Sequence, residues 1–107
     1  MNEGRQTKIE EALTHIAATF IERESNKTAL ITVTRAELRE RGRSAMLFIS
    51  VLPESKEIDA LNFLKRKRAE LRDQLKRALP IHPLPFLDVE IDKGEKARHT
   101  IDALLRE

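Results

Sequence analysis

Four cations stand in succession at Lys65-Arg66-Lys67-Arg68, and Arg72, Lys76 and Arg77 follow at intervals of a helical turn or less. Lysine and arginine at such density neutralise phosphates: the ammonium acts as a point charge, and the guanidinium as a planar fork that fits two phosphate oxygens. From Phe63 to His82 there are seven Lys or Arg against two Asp or Glu, a local excess of +5 in a chain whose net charge is +2. Arg35 to Arg43 adds four cations against two acids. A near-neutral chain that gathers its cations into two stretches points to a polyanionic partner. The blander reading is a solvated helix face that happens to be basic. With a nucleic acid as partner, Lys65, Arg66, Lys67, Arg68, Arg72, Lys76 and Arg77 are the expected RNA-binding set. Arg5 and Lys8 near the amino terminus, with Arg39, Arg41 and Arg43, form a secondary set.

Other chemistry is thinly represented. Asp88, Glu90 and Asp92 alternate along one stretch and resemble paired carboxylates, but on an exposed strand such a set is expected to be a wet, solubilising face. His15, His82 and His99 fall on three different elements without ligand spacing, and His15 borders an apolar stripe, where a partly buried, satisfied side chain is expected. There is no cysteine, hence no disulfide and no thiolate metal site. No glycine-rich phosphate loop, nucleophile elbow or triad is present. No catalytic residue, metal or cofactor is therefore expected, and the chain does not read as an enzyme. Four Phe with no Tyr or Trp also argue against a base-stacking sheet surface.

The basic run must be held by the elements around it. Ile58, Leu61 and Leu64 before it, and Leu71, Leu75 and Ala78 after it, recur at helical spacing. As one continuous helix from Glu57 to Leu79, the apolar seam would include position 68, which is Arg. Burying an unpaired guanidinium is costly, so the side chain snorkels out or the helix breaks near Lys67–Ala69; the cost favours the break.

Upstream, Ile9, Leu13, Ile16 and Phe20 define a helix over Lys8 to Arg23, with Thr7 and Glu10 in the form of a capping box. Ser25-Asn26-Lys27 ends it, with Asn26 expected in the left-handed region. Thr28 to Leu38 is β-branched and reads as a strand, and a bulge near Thr34-Arg35 would bring both Ile31/Val33 and Ala36/Leu38 to the core. The turn Arg39–Arg43, with Gly42 at positive φ, leads to a second, nearly continuous apolar strand over Ala45 to Leu52, stopped by Pro53. Pro80, Pro83 and Pro85 hold an extended segment before Leu87, Val89 and Ile91 alternate as a third strand. Lys93-Gly94 is expected to turn the chain into a last amphipathic helix carrying Ala97, Ile101, Leu104 and Leu105. The order α-β-β-α-α-β-α predicts an α+β domain with helices on one face of a small sheet. One domain is expected over 1–107, with residues 1–6 a flexible tail and Ile16, Phe20, Val33, Phe48, Val51, Leu71 and Leu75 in the core. No stretch is long and apolar enough to span a membrane, and the chain reads as a soluble, intracellular protein.

This order resembles a type II KH-like domain, and the local sequence is more specific. Ile31-Thr32-Val33-Thr34, Ser44-Ala45 with Leu47 to Leu52, Leu71-Arg72 with Leu75, Arg77 and Leu79, Pro85 before Leu87 and Asp92, and Ile101 with Leu104-Leu105 are together similar to bacterial ribosome-binding factor A. The likeness runs from about Lys8 to Leu105. It implies a non-enzymatic, cytoplasmic assembly factor, with a kink between helices in place of the KH signature loop. Such a factor binds the small ribosomal subunit and assists maturation of its rRNA, including in the cold. Two departures are plain: Ser25-Asn26-Lys27 stands where relatives carry Asp-Pro-Arg, and Lys67-Arg68-Ala69 stands where they carry Ala-x-Gly. The basic carboxyl-terminal tail of some relatives is not in this sequence. The expected partners are thus small-subunit rRNA and ribosomal proteins, with the chain a monomer. The competing reading is a protein–protein module using a sheet edge or an exposed helix face.

Overall fold

The computed structural model describes residues 3–106, apart from the side chain of His99. The elements in chain order are α1 (Glu3–Glu24), β1 (Leu30–Arg39), β2 (Ser44–Leu52), α2 (Glu57–Arg66), α3 (Arg68–Ala78), β3 (Phe86–Ile91) and α4 (Lys93–Leu105). The α+β order expected from the sequence is the one observed. The three strands lie in the order β1-β2-β3, with β1 antiparallel and β3 parallel to the central β2.

Alternation along β2 directs Ala45, Leu47, Ile49 and Val51 to the helices, where they meet Leu13, Ala17, Phe20 and Ile21 of α1 and Leu64, Leu71 and Leu75 of the α2–α3 pair. The bulge occurs where expected: the β1–β2 register shifts between Val33 and Arg35, leaving Thr34 as the extra residue, so that Val33, Ala36 and Leu38 are all buried. Phe48 needs correcting. It is buried, but on the opposite face of the sheet, where the Arg35 guanidinium lies 3.8 Å from its ring centroid. Ile16 is only half-buried, with Ala17 as the inward residue of that turn, and His15 is exposed.

Several boundaries also differ from expectation. Helix α1 begins at Glu3, so positions 3–6 are helical rather than a flexible tail, whereas Met1 and Asn2 lie outside the described residues. Thr7 therefore sits inside the helix and caps nothing; Glu10 instead reaches the sheet, its Oε2 accepting the Leu38 amide at 2.8 Å. The left-handed residue after α1 is Lys27, at φ 65°, not Asn26, whose Oδ1 accepts from the Thr28 amide and hydroxyl in an Asx turn. At the hairpin tip Glu40, Arg41 and Gly42 all have positive φ, at 54°, 59° and 88°. Only glycine adopts this region freely, and each of the other two costs about 1 kcal/mol. Lys93 and Gly94 are the first residues of α4 rather than a turn. That helix forms, yet Ile101, Leu104 and Leu105 remain 55–78 % exposed, so its apolar side does not join the core.

Candidate nucleic-acid interface

The helix over Glu57 to Leu79 is broken, and Lys67 is the residue at the break (φ −92°, ψ 3°) between α2 and α3. Its amide donates to the Phe63 carbonyl and its carbonyl accepts from Leu71, both at 3.0 Å, so both backbone groups of Lys67 are paired at the bend. The inward residues are Ala60 and Leu64 before the break, then Leu71 and Leu75 after it. Ile58 and Ala78, expected on the same seam, are exposed.

Arg68 resolves the conflict in both anticipated ways. The break re-aims it, and the half-buried side chain extends to the sheet edge, with Nη2 at 3.5 Å from Asp88 Oδ1 and the guanidinium 5.0 Å from the Phe86 ring. Two more of the expected cations are engaged within the fold. Lys67 Nζ lies 3.8 Å from Glu24 and 3.5 Å from Glu70. Arg72 is half-buried; its Nη2 donates to the Leu84 carbonyl at 3.4 Å, and its Nε is buried without a partner among the described residues. Arg72 thus joins α3 to the proline segment. Lys65, Arg66, Lys76 and Arg77 are exposed, with no ion pair or hydrogen bond among the described residues. The basic run thus divides into three cations that brace the kink and four that face solvent.

The secondary set divides as well. Arg5, Arg41 and Arg43 come together around one cavity at the hairpin tip, beside His82. Arg39 lies apart on the open sheet face, where it and Arg35 flank Glu37 at 3.2 and 2.8 Å. Hydrogen bonds from these two guanidinium groups, Arg35 first, hold the Glu37 carboxyl below its ordinary pKa. Lys8 is exposed on α1.

Sequence reasoning missed the role of Asp92. Expected beside Asp88 and Glu90 on a wet face, it is only 6 % exposed. Its Oδ1 accepts the Glu95 amide at 3.1 Å and so caps α4, while Oδ2 takes the Thr34 hydroxyl at 2.6 Å and lies 3.6 Å from Arg35 Nε. The signal was present in the sequence: Asp92 with Glu95 three residues on has the form of a capping box. Asp88 and Glu90 are exposed as expected. Among the described residues, no group of three His, Cys, Asp or Glu could hold a metal, and no helix is long and apolar enough to cross a membrane.

A three-stranded sheet covered on one face by helices, with a kinked α2–α3 pair leading to a parallel third strand, defines a small KH-like α+β module. The chain belongs to the ribosome-binding factor A family, whose sequence model matches residues 5–105. Among solved structures it is similar to the crystal structure of ribosome-binding factor A from Thermus thermophilus. That match has TM-score 0.72 and 24 % identity, and covers 80 % of this chain and 93 % of that one. It is also similar to the solution structure of a Thermotoga maritima protein assigned as a ribosome binding factor A, with TM-score 0.69, 21 % identity, and 84 % and 90 % covered. A third likeness is to a homology model of the Thermus thermophilus factor fitted into the cryo-EM map of a 30S–RbfA complex, with TM-score 0.65, 24 % identity, and 76 % and 88 % covered. At these identities the likenesses establish the fold. No curated protein matches the chain.

Proposed function

We propose that residues 1–107 act as one monomeric ribosome-binding domain, which holds the small ribosomal subunit through its rRNA and assists rRNA maturation in the cytoplasm without performing chemistry itself. Family membership supports the ribosome as partner, and the Thermus relative fitted into a 30S complex supports the small subunit. The observation that carries the RNA contact is the division of the basic run. Lys65, Arg66, Lys76 and Arg77 stand in solvent on both sides of a kink that Lys67, Arg68 and Arg72 brace. Cations already engaged by carboxylates and carbonyls are poor counterions for phosphate; unpartnered ones on a rigid support are good ones. With four phosphates neutralised, log affinity for isolated small subunits should fall against log salt with a slope of about −3 to −4. A flat salt response would reject this reading.

A second reading has its own support. The exposed side of α4 carries Ile101, Leu104 and Leu105, an apolar row suited to a protein surface such as a ribosomal protein's. Binding carried by that row would depend only weakly on salt and would survive loss of the four cations.

A further inference from the structure

At the hairpin tip a cavity of about 240 Å³ opens between the start of α1, the end of β1, the tip itself and the proline segment. Its floor is apolar: Ile9, Leu38 and Pro85 are buried there and Ile81 is half-buried. Its rim carries planar polar groups: the guanidinium cations of Arg41 and Arg43 and the imidazole of His82 are exposed around the opening, with Arg5 alongside. The backbone is built to hold this shape. Three successive positive-φ residues, two of them not glycine, fold the tip back, and the Phe86 amide bonds the Arg43 carbonyl at 2.9 Å, pinning the tip to the start of β3. Strain retained at a solvent-facing loop is a feature of positions that present side chains to a ligand.

An apolar floor below a ring of guanidinium and imidazole groups matches one chemical class. A nucleotide out of its stack needs a flat apolar contact for the base, a planar cation or imidazole against its face, and positive charge at its phosphate. We propose that this cavity receives one unstacked nucleotide of the bound rRNA, its base above Leu38 and Ile81 and its phosphate between Arg41 and Arg43. The inference rests on the RNA-binding reading above and adds to it a second site, distinct from the kink cations. It also gives the chain a base contact that the open sheet, without Tyr or Trp, is not equipped to provide.

The test uses the full chain, isotope-labelled, titrated with adenosine 5′-monophosphate and separately with ribose 5-phosphate. Adenosine monophosphate should shift the amides of Leu38, Gly42, Arg43 and His82. Ribose 5-phosphate should bind about tenfold more weakly, the lower range of what one stacked base is worth. Arg41→Gln with Arg43→Gln, at exposed positions, should abolish both responses. Ile81→Trp, which fills the floor and keeps every cation, should weaken adenosine monophosphate binding to the level of ribose 5-phosphate and leave ribose 5-phosphate binding unchanged. Equal affinity for the two probes, no shift at these amides, or undiminished nucleotide binding by a folded Ile81→Trp protein would each overturn the proposal. In parallel, the double glutamine variant should bind small subunits several-fold more weakly than the parent. If it binds nucleotide poorly yet subunits normally, the cavity serves free nucleotides and the rRNA assignment falls. If the parent itself does not bind subunits, the broader RNA-binding reading fails, whatever the cavity does.

Discussion

The Thr34 hydroxyl lies 2.6 Å from Oδ2 of Asp92, 58 residues further along the chain. Through this bond the bulge in β1 and the first turn of α4 fix each other across β2. Arg35, whose Nε is 3.6 Å from the same oxygen, also stacks on Phe48, so the one carboxylate ties together a bulge, a helix cap and the cover of the outer sheet face.

Asp92 should therefore matter to stability more than one cap alone would. Asp92→Ala removes the cap and leaves Thr34 without its carboxylate, at a cost of about 2 kcal/mol. Asp92→Asn, which can still cap, should cost less. The carboxyl pKa is held below its ordinary 3.8, chiefly by the Thr34 hydroxyl and further by the Glu95 amide and Arg35, against the opposing effect of burial. A folded pKa below the unfolded one gives stabilisation that is full above the unfolded value and is lost as pH falls through the folded one. Urea unfolding of the parent should accordingly weaken below about pH 4, and Asp92→Asn should show a shallower acid limb.

The same residue shows where sequence reasoning stops. Thr7/Glu10 and Asp92/Glu95 both have the form of a capping box, yet of these only Asp92 caps a helix. The motif has meaning only where a helix begins. Arg5 and Gln6 are good helix formers that carry α1 back past Thr7, while Gly94 disguises the start of α4 as a turn. The strands and the bulge were legible because β-branched residues alternate around a single interruption. Arg68 revealed the break because a cation on an apolar seam has few solutions. The partners of the basic run were not legible: Glu24, Asp88 and Leu84 lie on other elements, and no local pattern shows which cations they would engage.

The break predicts an unusual tolerance. Ala69 is exposed in the first turn of α3, just past Lys67 and outside the continuous hydrogen-bonded interior. Ala69→Gly should cost well under the roughly 1 kcal/mol typical of a helix interior, and Ala18→Gly, exposed in the middle of α1, should cost about that full amount. Denaturant unfolding of the two variants side by side reads the difference. Equal costs would mean that the chain is as helical at position 69 as at position 18.

Leu75 is 1 % exposed and lies in the core cluster with Phe20 and Ile49. Leu75→Asp places a carboxylate there without a partner, at a cost of about 3 kcal/mol or more, a large share of a small domain's stability. The variant should lose its cooperative thermal transition or melt far below the parent. Leu104→Asp, on the uncovered side of α4, should melt within a few degrees of the parent. Circular dichroism during heating distinguishes core from uncovered apolar surface.

Arg72, Lys76 and Arg77 are neighbours on α3, and charge alone would give them one role. The structure separates them. Lys76 and Arg77 are exposed and unpartnered among the described residues, whereas Arg72 bridges to the Leu84 carbonyl and buries its Nε. Reversing Lys76 and Arg77 together to Glu should flatten the salt slope of small-subunit binding by about two units and weaken binding at least tenfold. The melting temperature should barely move, since exposed substitutions away from such contacts change stability by about 0.5 kcal/mol or less. Arg72→Glu should behave in the opposite way. It removes the link to Leu84 and places an acid in a half-buried position, so stability should fall by about 1–3 kcal/mol, with the slope changed by less than one unit in whatever fraction remains folded. A salt titration of subunit binding beside a thermal melt of each variant separates the two roles. If Lys76→Glu/Arg77→Glu stays folded and binds subunits with parental affinity and slope, Lys76 and Arg77 do not hold RNA. Should that binding instead be lost on Leu104→Asp, the apolar side of α4 carries the interaction.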